Sequence, residues 1–326
     1  MSHDPVILAA DIGGTNARFM LARPAGMKLD VIVQGKLRVA AHATFEDACA
    51  AFLSGQPAMA IEGACVAVAG PIDGRTAQLT NSPWRIDADV IGARFAIDRV
   101  RLINDFAAAA AGIDDLSPSA LKVLQHAPGD VAGARLVIGA GTGLGVAYVL
   151  ADQGAPRVVA GEGGHVGFAP ADDEQIELLR WLLPSLRRVS AEQVVSGMGL
   201  ARLYAFASRG VAEVPDDVAK EGAVAVSRRF AQGDPVAQHA LRLFASILGS
   251  VAGDHALSIL ATGGVYVAGG IAPRFAGHLA QSGFIAAFRA KGRHAALMER
   301  MPIALVSEDG LGLLGAARCA LGLAGD

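Results

Sequence analysis

Two stretches of this chain follow one plan, and no other feature constrains its fold as tightly. "VILAADIGGTNARFMLA" (residues 6–22) and "LVIGAGTGLGVAYVL" (residues 136–150) each read apolar strand, Gly/Thr-rich turn, apolar strand. This is the signature of a β-hairpin whose turn glycines can take positive φ. Taken singly, either stretch needs no more explanation than that. As a pair they stand at the starts of two candidate lobes. Two such turns facing each other across a cleft would aim backbone N–H and Thr hydroxyl groups at a common centre, where an oligophosphate is the natural occupant.

The chain of 326 residues has room for two cores, because single hydrophobic cores stop growing at about 250–300 residues. Strand-like runs at 6–10, 19–22, 31–33, 66–69 and 100–103 alternate with helical patterns such as 44–53, the alternation of an α/β lobe. A second set begins with the second hairpin, continues through helices starting near Asp172, Ser196 and Asp234, and includes the strand "GGVYVAGG". In "DDEQIELLRWLLP" the acids occupy the first turn, where they suit the helix dipole, and Pro184 then disturbs the helix. The uncharged run between 255 and 274 contains Gly263, Gly264, Gly269, Gly270 and Pro273, so it reads as a helix end, a turn and a strand rather than a membrane span.

Charge and cysteine usage exclude several classes of partner. The formal net charge is −3 with both signs interspersed, which leaves no basic stripe for nucleic acid and no polybasic patch for a membrane. Cys49, Cys65 and Cys319 are scattered, which argues against a disulfide framework or a C-x-x-C metal pair and for a reducing compartment. Cys65 reads as a small buried hydrophobe. "MSHDPVILAAD" has no basic n-region, so no secretory signal is expected and the cytoplasm is.

Spacing separates the glycine turns from other nucleotide motifs. A dinucleotide fingerprint would place its last glycine at position 144 or 146, where the chain has Leu144 and Val146, and a β-branched run follows in place of a helix. No G-x-x-x-x-G-K-[ST] and no protein-kinase motif set occurs. Asp11, at the end of the first apolar strand, is either a turn-forming Asx residue or a carboxylate that holds hydrated Mg²⁺ against phosphates, since Mg²⁺ keeps most of its waters. Gly13, Gly14, Thr15 and Asn16 form the first turn, and Gly141, Thr142 and Gly143 the second. A third turn, with Gly269 and Gly270, would let a flat nucleobase or ribose lie against bare backbone.

A further group of residues is polar without being a charge cluster. Asn104 and Asp105 stand between a strand-like run and an Ala-rich helical one, where a helix N-cap needs only one of them. "AGEGGHVGFAP" carries Glu162 and His165 around paired glycines: an ordinary polar turn, or two sugar ligands, with no third ligand nearby for a metal. Glu192 lies in a stretch, 190–193, that also fits a capping box. Together these five residues offer carboxylates, an amide and an imidazole, the donors and acceptors that a hexose ring with a hydroxyl on almost every carbon requires.

"DIGGTNAR", "AGPIDG", "LTNSPW", "INDFAA", "GAGTGLG", "GEGGHVGFAP", "VSGMGL" and "AGGIAPRF" resemble, in this order and over nearly the whole chain, the ATP-dependent bacterial glucokinases of the actin/hexokinase/Hsp70 superfamily, outside the ROK branch with its clustered zinc cysteines. The resemblance implies a two-lobed actin-like ATPase (ribonuclease H-like) α/β fold with a central cleft. It implies a small lobe of residues 1–112 plus 306–326, including a C-terminal helix that returns to it, and a large lobe of residues 113–305. It makes Asp105 the base on the sugar 6-hydroxyl, Asn104 a ligand of the 3- and 4-hydroxyls, Glu162 and His165 ligands nearer carbons 1 to 3, and Glu192 a ligand of the anomeric hydroxyl. The two hairpin turns become the phosphate loops, "AGGI" the adenosine loop, ATP with Mg²⁺ on Asp11 the donor, and a homodimer the assembly. Lobe closure over glucose is expected with it. Gly167 and Asp254 depart from the family's usual residues. Two alternatives remain at this stage: a kinase for mannose, fructose or an amino sugar, and a non-catalytic actin-like sugar sensor, the latter disfavoured because no basic helix-turn-helix segment precedes the first hairpin.

Overall fold

The first core is built outward from β1 (Val6–Ile12), whose run "VILAADI" is buried at every position except Asp11. Such continuity arises when a strand is paired on both edges and covered on both faces. β2 (Asn16–Ala25) pairs with it antiparallel on one edge and β4 (Ile61–Val68) parallel on the other. β3 (Lys28–Arg38) then pairs with β2, and β8 (Val100–Asn104) with β4, giving the order β3-β2-β1-β4-β8. A small sheet of β5 (Ile72–Asp73), β6 (Thr76–Gln78) and β7 (Arg85–Asp87) lies between β4 and β8 in the chain. β3 is longer than its apolar run at 31–33 because an edge strand with alternating exposure does not need continuous apolar sequence.

The computed structural model describes residues 4–26, 28–79, 82–151, 156–308 and 310–324. Thr80 and Asn81 of "LTNSPW" lie outside the described residues. The chain forms two compact units, Met1–Ser117 with Glu308–Asp326, and Pro118–Ser307.

Period-2 alternation assigns the two faces of β1. Val6, Leu8, Ala10 and Ile12 join a core with Phe19, Phe45 and Trp84, covered by α1 (Phe45–Ser54) and α2 (Ala88–Phe95). Ile7 and Ala9 face the C-terminal helix (Leu311–Ala324), whose Leu313, Ala316, Ala317 and Ala320 complete a second core with Cys65 and Ala67. That helix also crosses α3 (Asp105–Ala111) so tightly that a Cβ on Gly315 would collide with the Ala108 carbonyl oxygen. Cys49 and Cys65 are packed as small apolar residues: burial pushes the Cys49 thiol to about 12, and a hydrogen bond with Cys319 together with burial raises Cys65.

The second unit repeats the same strand plan. β10 (Arg135–Ala140), β11 (Leu144–Leu150) and β12 (Arg157–Gly161) form an antiparallel meander. β13 (Gly264–Ala268) and β14 (Ile303–Val306) add parallel to β10, and β9 (Leu121–Gln125) closes the far edge antiparallel to β14. The order is β12-β11-β10-β13-β14-β9. Leaving out β9, third-second-first-fourth-fifth is the order of the first sheet too.

Helices fill in around this sheet where the sequence supplies caps. Asp172 Oδ1 accepts from Gln175 N at 2.8 Å to open α4 (Asp173–Leu186), which runs two residues past Pro184 before Arg187 turns left-handed at φ 58°. Next come α5 (Ala191–Val194), α6 (Gly197–Ala207) capped by Ser196, α7 (Asp216–Glu221), α8 (Ala223–Ala231) and α9 (Pro235–Ile259) capped by Asp234. α10 (Ile285–Arg289) and α11 (Ala295–Met298) precede β14. The expected capping box at 190–193 does not form. Gln193 N donates to the Ser190 carbonyl at 3.1 Å, so the N–H that the Ser190 hydroxyl would have capped is already used. The run at 255–274 is the end of α9, a turn, β13 and a 3₁₀ turn, and no described helix is long and apolar enough to cross a membrane.

Gly315→Ala should destabilise the protein by about 1–3 kcal/mol, the usual range for overpacking a core. A urea unfolding midpoint equal to that of the parent would show that α3 and the C-terminal helix are not in the close contact described.

Candidate active site

In the first unit three motif loops start from one edge of the sheet. Ile12, Val68 and Asn104 are partners in register across the parallel strands β1, β4 and β8, so "DIGGT", "AGPIDG" and "ND" all begin at the carboxyl ends of neighbouring strands. Adjacent strands lie about 4.8 Å apart, which sets the lateral spacing of these loops. Ligands of α/β sheets gather at such edges, because the loops there are free to vary while the strands hold their bases.

Asp11 occupies the same face of β1 as Ile7 and Ala9, close to the C-terminal helix: a Cβ on Gly312 would stand 3.2 Å from its carboxylate. Its cross-strand partner is Arg18, whose Nη1 lies 3.3 Å from Asp11 Oδ2. Burial raises the Asp11 carboxyl above its ordinary range, and Arg18 opposes that shift. Beyond it the turn closes through Gly13 N to Asn16 O at 3.0 Å, leaving Gly14 and Thr15 exposed. Among the described residues no three His, Cys, Asp or Glu side chains gather as a metal site.

Asn104 does act as the helix cap. Its Oδ1 accepts from Phe106 N at 2.9 Å and Ala107 N at 3.2 Å. Asp105 is the first residue of α3, half-exposed, with Oδ1 accepting from Phe106 N at 2.9 Å. One residue thus suffices to cap the helix, and the carboxylate beside it is an additional group held at the helix start.

The second unit brings its glycine turns together back to back. Gly139 pairs with Ala268 across β10 and β13, so the "GTG" and "AGG" turns leave the same sheet edge. Gly269 has φ +87°, and a Cβ there would stand 2.5 Å from the Ala140 carbonyl oxygen. Gly141 accepts from Gly197 N at 2.8 Å, which ties the start of α6 to the same turn, while Thr142 is exposed. The hairpin turns differ from expectation in one respect: Gly13, Gly141 and Gly143 do not adopt left-handed φ. At Gly143 the requirement is space, since a Cβ would stand 2.5 Å from Glu192 Oε2.

Glu192 is therefore a brace of the second hairpin, its Oε2 accepting from Leu144 N at 3.0 Å. Next to it lies the "EGGH" loop. Gly163 and Gly164 have no room for side chains, because a Cβ on Gly163 would stand 2.8 Å from Val146 Cβ and one on Gly164 would collide with the Leu144 carbonyl oxygen. Pressed onto β11 in this way, the loop turns Glu162 and His165 outward, 85% and 57% exposed, with Glu162 Oε2 and His165 Nε2 at 3.8 Å. Arg188 holds the loop from the other side by donating to the His165 carbonyl at 2.8 Å.

Two supports of this loop escaped the sequence reading. His255, on α9, has Nε2 3.3 Å from the Gly163 carbonyl oxygen and Nδ1 2.8 Å from Tyr148 Oη. Asp254 beside it forms an ion pair with Lys291 at 2.7 Å. Gly167 bridges Ser190, and a Cβ there would meet open space, so a larger side chain would fit this turn.

A family model described as Glucokinase matches residues 8–322. A glucokinase of Marinobacter nauticus is 39% identical over 97% of this chain and 98% of its own length. One from Synechocystis sp. is 42% identical over 83% of this chain and 82% of its own. The crystal structure of a glucokinase from an Antarctic psychrotroph superposes with a TM-score of 0.89 at 33% identity, covering 98% of this chain and 100% of that one. The repeated strand order is that of the ribonuclease H-like, actin-like two-lobed ATPases. The chain belongs to the glucokinase family, enzymes that use ATP to phosphorylate glucose to glucose 6-phosphate.

Proposed function

We propose that Asp105 is the general base of this reaction, accepting the proton of the glucose 6-hydroxyl as its oxygen bonds to the γ-phosphorus of ATP. The observation that carries the reading is the pair at 104–105, where Asn104 Oδ1 caps α3 through Phe106 N and Ala107 N and the half-exposed Asp105 carboxylate, sharing Phe106 N, stands beside it at the carboxyl edge of the sheet. Phosphoryl transfer has a loose transition state, so alignment and charge stabilisation do most of the catalysis, and a sugar hydroxyl needs a base only as the new bond forms.

In this reading Asn104 binds the 3- and 4-hydroxyls, Glu162 and His165 the hydroxyls nearer carbons 1 to 3, and Glu192 the anomeric hydroxyl. Glu192 would serve twice, since its Oε2 already holds Leu144 N. The turns at Gly13, Gly14, Thr15 and Asn16 and at Gly141, Thr142 and Gly143 grip the phosphates with backbone N–H and hydroxyl groups, and Gly269 and Gly270 face the adenosine. One carboxylate beside an exposed turn fits a hydrated Mg²⁺ that arrives on ATP, because Mg²⁺ needs only one or two protein carboxylates. Asp11 would hold it through water, and the metal would there offset the charge of the β- and γ-phosphates.

We further propose a cytoplasmic homodimer, as the family resemblance implies; the three scattered cysteines suit a reducing compartment. Light scattering should return twice the chain mass of 33.2 kDa, and a monomer at working concentration would refute the dimer.

Asp105→Ala should stay folded and lose about 10²–10⁴-fold in kcat, the range for removing a general base; near-parental turnover would remove Asp105 from that role. Glu162→Gln and His165→Ala should raise KM for glucose more than KM for ATP. An unchanged glucose KM would take both residues out of the sugar site.

A further inference from the structure

His255 takes no part in the chemistry above, yet it is only 8% exposed and both of its ring nitrogens are engaged. The partners determine the tautomer. The Gly163 carbonyl can only accept, so Nε2 carries the proton; Nδ1 of the neutral ring then accepts from the Tyr148 hydroxyl. Burial keeps the imidazole on the neutral side by lowering its pKa, against the opposing influence of the Gly163 carbonyl and, behind it, of Asp254.

The chain of contacts ends on the loop that carries Glu162 and His165. Gly163 sits between them in a single 3₁₀ turn, and a Cβ there would stand 2.9 Å from His255 Cε1. The inner face of the loop thus rests on the His255 ring and on Val146, while its outer face presents the carboxylate and the imidazole. Within the loop the Gly163 carbonyl has one other donor, Val166 N at 3.3 Å, a long bond that a one-turn helix does not enforce. An aliphatic side chain at 255 would fill the space and leave that carbonyl without its second donor.

We propose that Tyr148 and His255 are positioning residues for the sugar: acting through the Gly163 carbonyl, they set the direction in which Glu162 and His165 point. This rests on the reading of Glu162 and His165 as sugar ligands. The hydrogen bonds of the relay run from Tyr148 through His255 to the Gly163 carbonyl beneath the loop, and their effect is expected on glucose more than on ATP.

Steady-state kinetics of Tyr148→Phe, His255→Leu, His255→Gln and the Tyr148→Phe/His255→Leu double variant test this, with Glu162→Gln alongside. His255→Leu should raise the glucose KM by about three- to tenfold, the factor of one net hydrogen bond, with kcat and the ATP KM within about twofold of the parent. His255→Gln, whose amide can still donate to Gly163, should recover most of that loss. The double variant should be no worse than His255→Leu, because both residues act through one carbonyl. A folded His255→Leu with the parental glucose KM, or with the ATP KM raised equally, overturns the proposal. If His255→Leu does not fold, Tyr148→Phe, which removes a single oxygen, decides by the same criterion. A glucose KM raised by Glu162→Gln but by neither relay variant rejects the relay alone, whereas an unmoved KM in Glu162→Gln rejects the sugar-site reading on which it rests.

Discussion

The parallel pairing of β1 with β4 and of β4 with β8 is the constraint on which the first unit depends. Hydrogen bonding fixes Ile12, Val68 and Asn104 as neighbours, and the chain must leave the sheet at each of these points. The strand end with Asp11, the "AGPIDG" segment and the helix start with Asp105 therefore share one edge whatever their own preferences. The strands can hold this register because both faces of β1 are buried, and a slip of one residue would exchange its Leu8 face with its Ala9 face.

The small residues of the second face follow from the same pairing. Cys65, Ala67 and Ala9 let the C-terminal helix approach the sheet, and Gly315 lets it cross α3 against the Ala108 carbonyl. That helix, more than 200 residues distant in sequence from α3, is what backs the helix whose first residue is Asp105. In the second unit the equivalent role falls to close packing on glycine backbone. Gly269 against the Ala140 backbone, Gly164 against the Leu144 backbone and Gly143 against the Glu192 side chain leave almost no slack around the turns. Interiors this dense transmit a displacement rather than absorb it, so the supports of a loop matter as much as the side chains it displays.

Local chemistry was legible in the sequence wherever it is written in consecutive residues. The strands at β1 and β10, the helix starts near Thr44, Asp172, Ser196 and Asp234, and the division of the run at 255–274 all rest on patterns a few residues long. The length of β3 was not legible, because an edge strand with alternating exposure resembles a loop. The capping box at 190–193 was misread, because the four-residue pattern cannot tell whether the N–H it would cap is taken by the backbone. Left-handed glycines were expected in both hairpin turns, yet the need at Gly143 is clearance for a side chain distant in sequence.

By itself the sequence determined the element types, the two glycine hairpins, the ordered family motifs and the set of polar residues that suits a sugar, since each is a property of short runs or of their order. Only the tertiary structure decided that Glu192 grips Leu144 and that Tyr148 and His255 lie beneath the "EGGH" loop. These are contacts between segments far apart in the chain, selected by sheet register and helix packing, and no local pattern encodes them.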